Sequence, residues 1–372
     1  MLEMELSKEC WHGILHFLDI YAKANPNDAV VIGYSPECKL LYAALAVACK
    51  LKKLKSYGFG FQPVRDQRFS ENLAKINDSV ECPEENKIIL LTLELHTRSH
   101  EEKLVQFINN NPDRKVLVFQ LMNACEDLFG QALITPPETI NSINNYLINK
   151  LSGKRIIRIS SELGTDLEVK IHPKYRWLSN RGMGEVNKIT HLPSGEIATY
   201  PANLNGIFVA NFAINVNLKL PFDARIGDTP VTLYIRNNKV EGYNVNDHTI
   251  HNFLERCFKV DNCNLVGELG IGTNIGIHKP ISLNSQINER TTGLHLGFGQ
   301  HNQSLDLVKY TCPIHLDFIS NSGVIDTGNE QIDLETLNEL DLSNIPTSMH
   351  VEEGDCCGEK VIGKMNFLSS VR

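Results

Sequence analysis

In Cys312-Pro313-Ile314-His315-Leu316-Asp317 an imidazole and a carboxylate stand two residues apart. On a strand both would project from the same face, where they can bind one cation. The pair alone is weak, since hydrogen-bonded His and Asp couples also occur at this spacing. Two glycine-rich stretches add to it. Glu268 lies in Gly267-Glu268-Leu269-Gly270-Ile271-Gly272, and His295 in Gly293-Leu294-His295-Leu296-Gly297-Phe298-Gly299. An acid or imidazole set among glycines and apolar residues is costly unless it meets a cation or a hydrogen-bonding partner. Glu196 follows the turn Leu192-Pro193-Ser194-Gly195. Singly, each reads as a polar residue at a glycine-rich turn. Together, three carboxylates and two histidines suffice to hold two divalent cations, and such oxygen-rich mixed donors suit Zn, Co or Mn.

These residues need elements to position them. In the first half, residues 7–23 have helical spacing and are stopped by Pro26, and 29–34 (AVVIGY) reads as a strand buried on both faces. A helix is expected over 40–54, strands over 87–95 and 115–122, and helical material from there to about 152. Ser99 and Glu102 match a capping box opening a helix across 100–110. Strands alternating with helices imply a parallel, Rossmann-like sheet covered on both faces, assigned to residues 1–153. From Gly153 the pattern changes to strand-like runs at 155–160, 166–171, 206–220 and 230–245, broken by Gly, Pro, Asn and Asp. Asn237-Asn238 reads as a hairpin turn. Residues 154–372 are therefore expected to form a mainly antiparallel α+β domain that carries the metal-binding residues.

Composition excludes several classes. The net charge is −8 with no basic stripe, which argues against nucleic acid as the main partner. No apolar run is long enough to span a bilayer, and the first residues lack a basic-then-apolar signal pattern, so a cytoplasmic protein with no membrane partner is expected. The ten cysteines show neither a disulfide scaffold nor a four-cysteine zinc spacing. Cys312 reads as a small buried residue, and Cys356-Cys357 as part of an acidic exposed tail. Gly270 and Gly272 would begin a dinucleotide fingerprint, but Ile275 stands where its last glycine belongs. No G-x-S-x-G elbow occurs.

Gly164-Thr165-Asp166-Leu167, LPSGEIATYP (192–201), GELGIGTN (267–274), the Glu289-to-His295 stretch and PIHLDF (313–318) follow one another in a recognisable order. Over roughly residues 160–320 the chain resembles the aminopeptidase T family of metallopeptidases. It also resembles a sister group containing 2,5-dihydroxypyridine 5,6-dioxygenase. Likeness to the peptidases implies a cocatalytic metal pair held by Glu196, Glu268, His295, His315 and Asp317. It implies Glu268 or Glu289 as the catalytic carboxylate, a peptide or small-molecule substrate, and a homodimer or higher homo-oligomer. The dioxygenase branch implies one Fe(II) bound by two histidines and an aspartate, with a histidine where this chain has Glu268. The five residues therefore favour hydrolysis. His96 and His191 resemble substrate-contacting histidines of the dioxygenase branch. The peptidases carry a tyrosine seven residues after the His295 position, where this chain has Asn302 beside His301. Either of these would have to take over its contact with substrate. A member that binds metal but has lost turnover is the third reading.

Overall fold

The computed structural model describes residues 6–343, residue 345 and the backbone of 352–353; Cys356-Cys357 lies outside the described residues. Contacts group the chain into two compact units, Met1–Glu138 with Gly182–Ser194, and Thr139–Arg181 with Gly195–Arg372. This division differs from the boundary expected at 153. The helix Pro137–Leu151 supplies Ile143, Leu147, Ile148 and Leu151 to the apolar core that also holds the C-terminal strands. Among the described residues no helix is long and apolar enough to cross a membrane.

The first unit contains β1 (Ala29–Tyr34), β2 (Lys55–Gly60), β3 (Lys87–Glu94) and β4 (Lys115–Met122). They pair in parallel in the order β2-β1-β3-β4. β1, β3 and β4 are almost wholly buried, as continuous apolar runs in a sheet covered on both faces require. β2 is half exposed, consistent with its place at the sheet edge. A fifth strand, Ile189–Leu192, joins β4 in parallel, bringing His191 into this sheet. Four residues bounded by loops carry too little periodicity to announce a strand in sequence. The expected capping box does not form. Ser99 donates from its backbone N–H and its hydroxyl to Glu94, and His100 in a left-handed conformation precedes the helix Glu101–Asn109.

The second unit has two seven-stranded sheets. Continuing in chain order, its strands are β5 (Ile156–Ser160), β6 (Asp166–Lys170), β7 (Trp177–Asn180), then, with Ile189–Leu192 counted as β8, β9 (Glu196–Thr199), β10 (Asn203–Ala210) and β11 (Ala213–Val216). They are followed by β12 (Val231–Arg236), β13 (Lys239–Asn244), β14 (Val266–Gly272), β15 (Gly293–Gly299), β16 (His315–Ser320), β17 (Val324–Asp326), β18 (Gln331–Asp333) and β19 (Glu352–Glu353). One sheet runs β13-β12-β10-β6-β5-β17-β18 and the other β11-β16-β15-β14-β9-β7-β19. The strand-like run expected over 206–220 is interrupted at Asn211 and Phe212, and the strands on either side, β10 and β11, enter different sheets. The β12–β13 hairpin turns at Asn237 and Asn238, both with positive φ (51° and 61°), as a tight primed turn demands. Phe208, Leu233 and Leu167 of the first sheet share one apolar cluster with Leu296, Phe318 and Ile271 of the second.

Candidate metal centre

The second sheet separates its two faces by alternation along β9, β15 and β16, and along β14 from Glu268 onward, past the bulge between Val266 and Glu268. From β14, Leu269 and Ile271 enter the apolar cluster; from β15, Leu294, Leu296 and Phe298; from β16, Leu316 and Phe318; and from β9, Ile197. The period of two then puts Glu268, His295, His315, Asp317 and Glu196 on the opposite face. That face is covered as well. Glu196 is 2% exposed, Glu268 0%, His295 1%, His315 2% and Asp317 1%. Polar groups buried this deeply need partners or a cation.

Four adjacent strands, β16-β15-β14-β9, bring the five side chains together. In the cross-strand register Asp317 stands opposite Gly297, and Gly297 opposite Glu268. His295 stands opposite Gly270, and Glu196 opposite Gly272. Glycines thus occupy the places between the donors, for a steric reason. A Cβ on Gly297 would lie 2.8 Å from Asp317 Oδ1 and 3.0 Å from both Glu268 Cβ and His315 Cε1. A Cβ on Gly270 would lie 2.0 Å from His295 Nε2. At the entry to β9, Gly195 has φ +115°, a conformation that favours glycine. The buried Asn144 amide donates to the Glu196 carbonyl and to Asn180 and Ser179, fixing β9 against β7.

Donor atoms of Glu196, Glu268 and His295 lie within 4.8 Å of one another, as do those of Glu268, His315 and Asp317. Glu268 belongs to both groups. His295 Nε2 is 2.8 Å from Glu196 Oε1 and 3.5 Å from Glu268 Oε1, while His315 Nε2 is 3.1 Å from Asp317 Oδ1. Neither Glu268 oxygen accepts a hydrogen bond, and His295 Nε2 stands off at 3.5 Å as an ion-pair neighbour. Burial, with the charge of Glu196, pushes the Glu268 carboxyl above its usual range, against the opposing pull of His295. Burial alone would lower the His295 imidazole, but its hydrogen bond to Glu196 and the nearby charges of Glu196 and Glu268 push it up to about 10. A divalent cation fits this donor set. The face is cleared by glycine, it carries two carboxylate-rich triads, and the carboxylate common to both has no hydrogen bond.

Glu289 ends the short helix Gln286–Glu289 and lies outside both triads. Its Oε1 accepts from Asn215 Nδ2 at 2.7 Å, and its Oε2 is 3.4 Å from Arg290 Nη1. The same guanidinium nitrogen donates to Glu196 Oε2. Arg290 is 0% exposed. Neither it nor Asn215 is marked in the sequence, because an arginine after a glutamate looks like surface, and only the fold shows that it is buried. His301 uses both ring nitrogens locally, Nε2 toward the Tyr310 carbonyl at 2.9 Å and Nδ1 toward the Gln303 N–H at 3.3 Å. Asn302 is buried, with its side-chain oxygen accepting from Gln303 Nε2 at 2.6 Å. In the first unit, His96 is exposed just beyond the carboxyl end of β3, and His191 on β8 lies 3.3 Å from Glu101.

Three comparisons with known proteins bear on this architecture. A family described as "Crocagin biosynthetic protein CgnE/B" matches residues 224–325, a span that includes Glu268, Glu289, Arg290, His295, His315 and Asp317. No curated protein matches in sequence. Among solved structures, a 2,5-dihydroxypyridine dioxygenase from Pseudomonas putida KT2440 has a TM-score of 0.55 at 16% identity, covering 95% of this chain and 98% of its own. Wild-type AmpT from Thermus thermophilus has a TM-score of 0.53 at 13% identity, covering 88% and 97%. At these identities the likeness establishes a shared fold: an α/β sheet unit joined to an antiparallel α+β unit, the class expected from the sequence.

Proposed function

We propose that the chain is a metal-dependent hydrolase that cleaves a peptide or small amide. The observation that carries this reading is the pair of buried triads sharing Glu268. Each contains two carboxylates and one histidine, whereas non-haem Fe(II) oxygenases use two histidines and one carboxylate. The donor set therefore favours a Lewis-acid site over the iron alternative. The sequence resemblance to the aminopeptidase T family agrees with that choice, while the fold is shared with both AmpT and the dioxygenase.

When bound, a Zn, Co or Mn ion would supply Lewis acidity toward the scissile carbonyl and lower the pKa of a water molecule. The protein supplies orientation and proton handling. His315 and Asp317, on one face of β16, fix one side of the cradle, and Glu268 closes it from β14. Glu268 is the carboxylate that would hold the proton lost by the attacking water and return it to the departing amine, because His295 and Arg290 engage both oxygens of Glu196. Glu289 is less suited to that task, since Asn215 and Arg290 occupy its oxygens.

The test is release of a chromogenic amine from an aminoacyl anilide by the purified chain loaded with Zn, Co or Mn. Chelator-sensitive release that is lost in Glu268→Gln is expected. Absence of release with every metal, or oxygen uptake on a dihydroxypyridine with Fe(II), would overturn the reading.

A further inference from the structure

The two triads are not electrostatically equivalent. Both oxygens of Glu196 are engaged, Oε1 by His295 at 2.8 Å and Oε2 by the Arg290 guanidinium. Arg290 is held in turn by Glu289, which Asn215 fixes from β11. The guanidinium stays charged at any physiological pH. It is therefore a permanent cation beside the Glu196 end of the site, in a fully buried setting where charges are poorly screened. At the other end Glu268 and Asp317 have no lysine or arginine partner among the described residues. The two carboxylates of that triad match the charge of a single divalent ion.

We infer that Arg290 takes the place of a second metal, so that the chain holds one divalent cation, at Glu268, His315 and Asp317. Glu196 is then a carboxylate oriented by Arg290 and His295. A second ion entering the Glu196 triad would lie close to both the guanidinium and the first ion, and would have to take Glu196 from a charge-assisted hydrogen bond. The inference rests on the metal-site reading above but does not depend on which reaction the site performs.

Calorimetric titration of the metal-free full chain with Zn²⁺, and again with Mn²⁺, tests it. One equivalent is expected, with any second at least tenfold weaker. Asp317→Asn should lose that equivalent, whereas Glu196→Gln should retain it within a few-fold. Arg290→Met should gain a second equivalent. Should removal of the buried arginine prevent folding, the contrast between Asp317→Asn and Glu196→Gln decides. Two equivalents of similar affinity in the unmodified chain, no binding at all, equal loss in both carboxylate variants, or a folded Arg290→Met that still binds one would each overturn the inference. One equivalent without amide hydrolysis would sink the hydrolase reading and leave this inference standing.

Discussion

Glu94 in the first unit and Glu268 in the second are both buried strand glutamates, at 2% and 0% exposure. Their surroundings differ. Glu94 ends β3 and is fully satisfied by its own neighbourhood: it accepts from the Ser99 N–H at 2.9 Å and from the hydroxyls of Ser99 and Thr97, each at 2.7 Å. Glu268 lies inside β14, flanked by glycines that can donate nothing from a side chain, and neither of its oxygens accepts a hydrogen bond. Burial alone does not mark a functional acid. A carboxylate whose donors are supplied by the next few residues is part of the architecture, while one whose donors are missing is kept for a cation from outside.

The largest expected effect of breaking that contrast is on Glu268 itself. Glu268→Gln should weaken binding of Zn²⁺ by more than about 100-fold, beyond what loss of a supporting contact costs. The metal-free variant should remain folded, since glutamine keeps the side-chain volume inside β14. Calorimetry and a thermal melt together check it. If metal affinity were unchanged, Glu268 would be a buried strand glutamate with an architectural role, like Glu94. Next is Gly297→Ala, which drives a methyl into Asp317, Glu268 and His315 and should weaken metal binding roughly 10- to 100-fold. It should also cost about 1–3 kcal/mol of stability through overpacking.

The other side of the comparison predicts the reverse pattern. Glu94→Gln should lower stability by about 2 kcal/mol, because a charged acceptor of several hydrogen bonds is lost, and should leave metal affinity unchanged. Denaturant unfolding with a parallel metal titration would show it; any shift in metal affinity would contradict the purely architectural role. The smallest effect concerns Asp28. Burial by itself would raise this carboxyl, but the N–H groups of Asn25 and Lys87, the Asn86 amide and the Lys87 charge hold it below the usual carboxylate range. Its stabilisation is therefore complete above the ordinary Asp pKa and is lost as pH falls through the lowered folded-state value. Asp28→Asn should cost about 1 kcal/mol at neutral pH, and the difference from the unmodified chain should shrink under acid. A constant difference across the titration would exclude ionised Asp28 as the cause.

Local pattern reached far into the fold. The buried strands at 29–34, 87–95 and 115–122 match β1, β3 and β4 because continuous apolar runs of that length have one stable use in an α/β sheet. The shared face of His315 and Asp317 follows from strand parity alone. Ser99 illustrates the limit of such reading. Its spacing to Glu102 suits a helix cap, but Glu94, five residues earlier and buried, takes its donors instead.

The sequence by itself determined which residues could bind a cation and, through alternation within each strand, which of them share a face. It did not determine that β9, β14, β15 and β16 lie side by side, since the pairing of segments up to about 120 residues apart is decided by packing of the whole sheet. Nor did it disclose that Arg290 is buried against Glu196, or that Gly270 and Gly297 clear the space between the donors. Charge, volume and distance at that centre are properties of neighbours brought together across strands, and only the tertiary structure supplies them.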